Sequence, residues 1–152
     1  MTEVQPYQFI CPSSINPKFM AKITKAVKVL IVEDDKNICE MYAITFMKRG
    51  FTVYTAPDGR SAIQKYQNKK PDIVLLDIMM PHVDGYQVLS EIRKDINSYT
   101  PVMMLTNLDA NDFARESQLD HIDAYLIKSH HSPREVVDKT IEVLRVNNIA
   151  VE

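Results

Sequence analysis

Four short apolar runs, Val29–Val32, Ile73–Leu76, Val102–Leu105 and Ala124–Ile127, constrain the fold of this chain more than any other feature. Each is rich in Val, Ile, Leu or Met, and the apolar residues are consecutive rather than alternate. A strand with that pattern has both faces covered, as in a parallel sheet packed between helices. A fifth stretch, Phe51–Ala56, mixes Thr and Tyr with apolar residues and reads as an edge strand.

Helical spacing fills the gaps. Lys36 to Arg49 carries Ile38, Met41, Thr45 and Phe46 on one period and stops at Gly50. Arg60 to Gln67 follows Asp58, an expected N-cap, and Tyr86 to Lys94 carries Val88, Leu89 and Ile92. A short helix is expected over Asn111 to Gln118. Ser132-Pro133-Arg134-Glu135 is a capping box with proline at the first helical position, which opens a last helix through Val136, Val137, Ile141 and Leu144. Strands alternating with helices build right-handed βαβ units, hence an α/β fold with helices on both faces of a five-stranded parallel sheet.

In such a sheet ligands bind beyond the carboxyl ends of the strands. The run from Val29 ends in Glu33-Asp34-Asp35, that from Ile73 in Asp77, that from Val102 in Thr106 and that from Ala124 in Lys128. Every strand but the edge one delivers a polar group to that rim. A lone Asp after a strand is more often a helix N-cap than a nucleophile, and Asp35 is assigned that role. The conjunction is harder to get by chance. Glu33, Asp34 and Asp77 crowd like charges together, which a hard divalent cation such as Mg2+ resolves. One carboxylate can then act as a nucleophile toward phosphorus.

From about Val27 to Val146 the chain resembles the bacterial two-component response regulator receiver domain. The matching stretches are Val29-Leu-Ile-Val-Glu-Asp-Asp35, Asp72-Ile-Val-Leu-Leu-Asp-Ile-Met-Met-Pro81 with Asp84-Gly85, Pro101-Val-Met-Met-Leu-Thr106, and Tyr125-Leu-Ile-Lys128. The resemblance implies a flavodoxin-like doubly wound sheet of order 2-1-3-4-5; that order comes from the family and not from the runs. It implies Asp77 as the phosphorylated aspartate. Glu33, Asp34, Asp77 and the backbone carbonyl of Met79 are the implied Mg2+ ligands. Thr106 and Lys128 become the phosphoryl-sensing pair, and Tyr125 the aromatic switch. It further implies a phosphohistidine donor on a sensor histidine kinase or a histidine phosphotransfer protein. Output would pass to a downstream protein through the face of the fourth helix, fifth strand and fifth helix, with a homodimer through that face left open. Met79 and Leu108, two residues beyond Asp77 and Thr106, are apolar and cannot orient a water, so slow loss of the phosphoryl group is expected.

Two departures stand out. Ser129 follows Lys128 where the family has proline, commonly after a cis bond, so the loop from Ser129 to Ser132 is expected to differ. Asp120-His121-Ile122-Asp123 replaces the usual Gly-Ala before the fifth strand. The remaining histidines suggest no site: His130 and His131 are adjacent, so their side chains diverge, and no third ligand lies at a usual spacing.

The 152 residues fit one domain: an irregular proline-broken extension over 1–26, a receiver over 27–147 and a tail over 148–152. Residues 1–19 are expected to be dispensable, with Met20 a candidate start, and the short tail suggests a stand-alone receiver. A formal net charge of -2 argues against direct DNA binding. Two cysteines, Cys11 and Cys39, form no disulfide framework, and with no apolar run of membrane-spanning length and no signal peptide the expected compartment is the cytoplasm. The expected role is a signalling domain rather than an enzyme. A haloacid-dehalogenase-type phosphatase needs a second Asp where Met79 stands. A flavodoxin needs a phosphate loop where Glu33-Asp34-Asp35 would repel phosphate. A degenerate receiver, acting only as an interaction module, would not need Asp77, Thr106 and Lys128 intact.

Overall fold

The computed structural model describes residues 26–96, 99–107 and 121–151. The expected extension and the expected helix over 111–118 lie outside these residues, apart from Ala26. The described elements are β1 (Lys28–Val32), α1 (Lys36–Lys48), β2 (Thr52–Ala56), α2 (Gly59–Lys69), β3 (Ile73–Asp77), α3 (Gly85–Arg93), β4 (Val102–Thr106), β5 (Ala124–Ile127), a single 3₁₀ turn (Lys128–His130) and α4 (Pro133–Val146). All strand pairings are parallel, in the order β2-β1-β3-β4-β5. The flavodoxin-like order implied by the resemblance is therefore present, with β2 at an edge as its mixed composition suggests.

The consecutive apolar runs serve two cores because strand side chains alternate faces. Val29, Ile31, Ile73, Leu75, Met103 and Leu105 point to one layer, where Tyr42 and Phe46 of α1 meet Val136, Val137 and Leu144 of α4. Leu30, Val32, Val74, Leu76, Val102 and Met104 point to the other, with Ala62 and Tyr66 of α2 and Val88, Leu89 and Ile92 of α3. Phe46, Val88 and Leu144 are fully buried in these layers.

Each of the four described α-helices starts on a side-chain cap. Asp35 accepts from the backbone N–H groups of Asn37 (2.9 Å) and Ile38 (3.0 Å), as its N-cap assignment requires. Asp58 accepts from Ser61 N at 2.8 Å. Asp84 and Gln87 form a capping box at α3, and Ser132 and Glu135 form the one expected at α4. At its far end α4 turns back on itself. Asn148 sits at φ 58, its N–H reaches Arg145 O and the Ile149 N–H reaches Leu144 O at 2.9 Å, a Schellman closure. Ile149 and Val151 then pack against the first core layer. Among the described residues no peptide bond is cis, and no helix is long and apolar enough to cross a membrane.

Candidate functional site

The carboxyl ends of β1, β3, β4 and β5 meet at one rim. Glu33 follows β1 and is 3% exposed; Asp77 ends β3 and is 4% exposed; Thr106 ends β4 and is fully buried. Lys128 follows β5 directly and its side chain is almost wholly buried. Asp34 stands beside them, open to solvent. One carboxylate oxygen from each of Glu33, Asp34 and Asp77 lies within 4.8 Å of the other two. The structure thus brings together the carboxylates that the sequence nominated, with the threonine and lysine at the ends of the neighbouring strands.

The contacts explain how two buried carboxylates survive side by side. The Lys128 ammonium donates to Asp77 Oδ2 at 2.9 Å and also to Glu33 Oε2. Asp77 Oδ1 accepts from the Met79 N–H at 3.1 Å, and Glu33 Oε1 from the Asp35 N–H at 3.2 Å. Burial pushes both carboxyls above their ordinary range, while the bond to Lys128 pulls them back down. Burial alone would lower the Lys128 ammonium, but its bonds to Glu33 and Asp77 outweigh that and hold it above the usual lysine value. One ammonium is therefore divided between two buried carboxylates, with the Asp34 carboxylate alongside. The donor set left over is all oxygen, clustered and partly open to water through Asp34, which fits a hard divalent cation.

The other nominated residues fall as follows. Met79 is at the rim with its side chain 61% exposed. Tyr125 is half-buried against the second core layer. Leu108 lies outside the described residues. Lys128, Ser129 and His130 form the 3₁₀ turn that leads to the α4 capping box, so the loop without the usual proline is closed by backbone and cap bonds. His82, His121 and His130 are exposed, and Cys39 is half-buried against the first core layer.

Sequence reasoning missed what happens at the opposite rim. Asp72 precedes β3 and accepts from Lys28 N at 2.8 Å; Asp123 precedes β5 and accepts from Val102 N at 2.9 Å. Asp123 also takes the Tyr99 hydroxyl (3.1 Å) and Asn147 Nδ2 (3.2 Å), and lies 3.4 Å from Arg93 Nη2. Arg93 stacks on the Tyr99 ring at 4.4 Å and donates to the carbonyls of Thr100 and His121. A readable signal existed: both aspartates stand immediately before an apolar run.

Comparison with known proteins gives a consistent picture. The profile of the family described as "Response regulator receiver domain" matches residues 29–140. The chain is 42% identical over 124 residues to "Probable transcriptional regulator ycf27" of Guillardia theta, covering 81% of this chain and 47% of that protein. It is 35% identical to "Alkaline phosphatase synthesis transcriptional regulatory protein PhoP" of Bacillus subtilis (strain 168), covering 81% and 50%. The chain spans about half the length of the curated relatives it matches. Among solved structures, the chemotaxis response regulator CheY4 of Vibrio cholerae superposes with a TM-score of 0.72 at 29% identity, covering 79% of this chain and 100% of that one.

Proposed function

The chain belongs to the response regulator receiver domain family, and from that premise we propose that it is a phospho-acceptor switch in which Asp77 takes a phosphoryl group in a Mg2+-dependent reaction. The observation that carries this is the buried Asp77 carboxylate, ending its strand within a carboxylate cluster and bonded to Lys128. A structural aspartate such as Asp123 is saturated by several donors of its own, whereas this one shares a single cation with Glu33.

In the proposed reaction an oxygen of the Asp77 carboxylate attacks phosphorus of a phosphohistidine donor. The O–P bond forms as the N–P bond breaks, and the electron pair leaves on the imidazole nitrogen, which takes up a proton. Glu33, Asp34, Asp77 and the Met79 carbonyl would hold Mg2+, which when bound offsets charge on the transferring group. Lys128 is placed to pass from the Asp77 carboxylate to a phosphoryl oxygen, a hydrogen-bond donor that needs little repositioning. Thr106, buried one strand over, supplies a hydroxyl. Its movement toward the phosphoryl group would free space for Tyr125, which biases the face of β5 and α4 toward another packing. The donor would be a sensor histidine kinase or a histidine phosphotransfer protein, and the recipient of the signal a protein docking on that face. The curated relatives are named as transcriptional regulators. With a net charge of -2 this chain is proposed to act through protein contacts and not by gripping DNA itself.

The test is incubation with acetyl phosphate and Mg2+, read by intact mass. The parent is expected to gain one acid-stable, base-labile phosphoryl group, and to gain none when Mg2+ is chelated. An Asp77→Asn variant that folds and still gains the same base-labile group would sink the assignment.

A further inference from the structure

One edge unit of the fold, β2 with α2, contributes none of the nominated site residues, yet it touches the acceptor loop at one unusually close point. We propose that Gly59, in the first turn of α2, is a positioning residue for the acceptor site. By carrying no side chain it lets Val83 seat against the helix, which fixes the segment from Ile78 to Asp84 that presents Met79 to Asp77. The proposal deepens the reading of Asp77 as a Mg2+-dependent acceptor and rests on it.

The segment is tightly folded. The Met79 N–H holds Asp77 Oδ1 at 3.1 Å. Behind it Met80 N reaches Ile78 O, Val83 N reaches Pro81 O, and Gly85 N reaches Ile78 O at 3.1 Å. His82 sits at φ 68, a left-handed conformation that surrounding contacts must enforce in a non-glycine residue. Two close approaches supply that enforcement. A Cβ on Gly85 would lie 2.4 Å from the carbonyl oxygen of Asp77, so α3 begins in direct contact with the acceptor backbone. A Cβ on Gly59 would lie 2.5 Å from Val83 Cγ1 and 2.7 Å from both Val83 Cβ and the Val83 carbonyl oxygen. Because backbone is among the clashing atoms, rotating the valine cannot make room; the loop itself must shift. Gly59 is buried at the start of α2, whose first turn the Asp58 cap holds, so an added Cβ would press on the Val83 segment. Val83 and Met80 both pack on the second core layer, with Met79 next in the chain. A displacement at Val83 is therefore carried to the Met79 amide that orients Asp77 and to the carbonyl assigned to the metal.

The test uses the purified full chain, Gly59→Ala, and two readouts: backbone amide NMR shifts without metal, and Mg2+ affinity by titration. Gly59→Ala is expected to move the amide resonances of Met79 and Val83 and to weaken Mg2+ binding about 10-fold, the scale seen when a residue supporting metal ligands is changed. The double variant Gly59→Ala, Val83→Gly removes two of the three clashing atoms and is expected to bring affinity back toward the parent. Phe46→Leu, a core change on the opposite layer, controls for lost stability and should leave Mg2+ affinity at the parent value. If Gly59→Ala does not fold, Val83→Gly alone removes the contact from the other side and should shift the Met79 amide. Unmoved Met79 resonances, a Mg2+ loss no larger than that of Phe46→Leu, or no recovery in the double variant would each overturn the proposal. A parent that binds no Mg2+ at all would instead overturn the reading of the site, while the metal-free shifts would still decide the role of Gly59.

Discussion

The two ends of the sheet treat the same side chain in opposite ways. At the amino end, Asp72 and Asp123 each extend the ladder by one step. Their N–H groups donate to the neighbouring strand, to Lys28 O and Val102 O, and their carboxylates accept the N–H of those same residues. Asp123 adds a hydroxyl, an amide and a guanidinium, so its charge is spread over Val102, Tyr99, Asn147 and Arg93. At the carboxyl end, Glu33 and Asp77 are more deeply buried, take one backbone N–H each, and divide one ammonium between them with Asp34 alongside. On the proposed reading the difference marks where function sits: an acidic group saturated by the protein holds the fold, whereas a crowded pair sharing one ammonium would be arranged for a ligand.

Breaking the amino end should cost the most. Asp123→Ala strips the acceptor from Arg93, Val102 N and Asn147 together, and loss of a largely buried ion-pair partner costs about 3 kcal/mol. In a domain of this size that is a fall in Tm of roughly 10 °C, while phosphoryl uptake below the melting range should remain. An unchanged Tm would show that Asp123 is not the hub its contacts describe. Asp72→Ala tests the simpler version of the same device. It removes the acceptor of Lys28 N and should cost about 1–2 kcal/mol in urea unfolding, again without effect on Mg2+ affinity. A cost above that of Asp123→Ala would reverse the ranking.

The smallest effect has the opposite sign and lies at the other end. Asp77 is pushed above the ordinary carboxyl range by burial, with its bond to Lys128 opposing the shift. A carboxyl that binds its proton more tightly in the folded state costs stability once ionised, and the cost fades as pH falls through the folded pKa toward the ordinary value near ~4. Without Mg2+, Asp77→Asn is therefore expected to melt above the parent at neutral pH, with the gap narrowing on acidification. A gap that widens as pH falls would contradict burial as the dominant cause.

Much of this was legible in the sequence for a specific reason. The interior strands β1, β3 and β4 carry short, uniformly apolar runs, and β5 keeps an apolar run although it is a half-buried edge strand and not one covered on both faces. The first polar residue after each run therefore marks the rim; Glu33, Asp77, Thr106 and Lys128 announce themselves that way. Helix starts were legible at Asp35, Asp58 and Ser132 because a cap acts on N–H groups two or three residues on, within reach of a local pattern. The same rule missed the capping box of Asp84 and Gln87, because Asp84 enters the sequence reading only in the family stretch Asp84-Gly85. The amino-end network was not legible. Arg93 meets His121 and Asp123 across 28 and 30 residues of chain, and Asn147 meets Asp123 across 24, separations that leave no period to read. The double duty of Lys128 was also hidden. Its place at a strand end was plain, but that it bonds Glu33 as well as Asp77 depends on strand order, which the runs alone do not give.

The claim that the carboxyl-end carboxylates await a cation is tested most directly by thermal melts of the parent and Asp77→Asn at neutral pH, each with Mg2+ and with chelator. The account predicts that Asp77→Asn is the more stable protein in chelator, that Mg2+ raises the Tm of the parent, and that the ion raises the variant by less. A parent whose Tm does not respond to Mg2+, or a variant that is less stable than the parent in chelator, would contradict it.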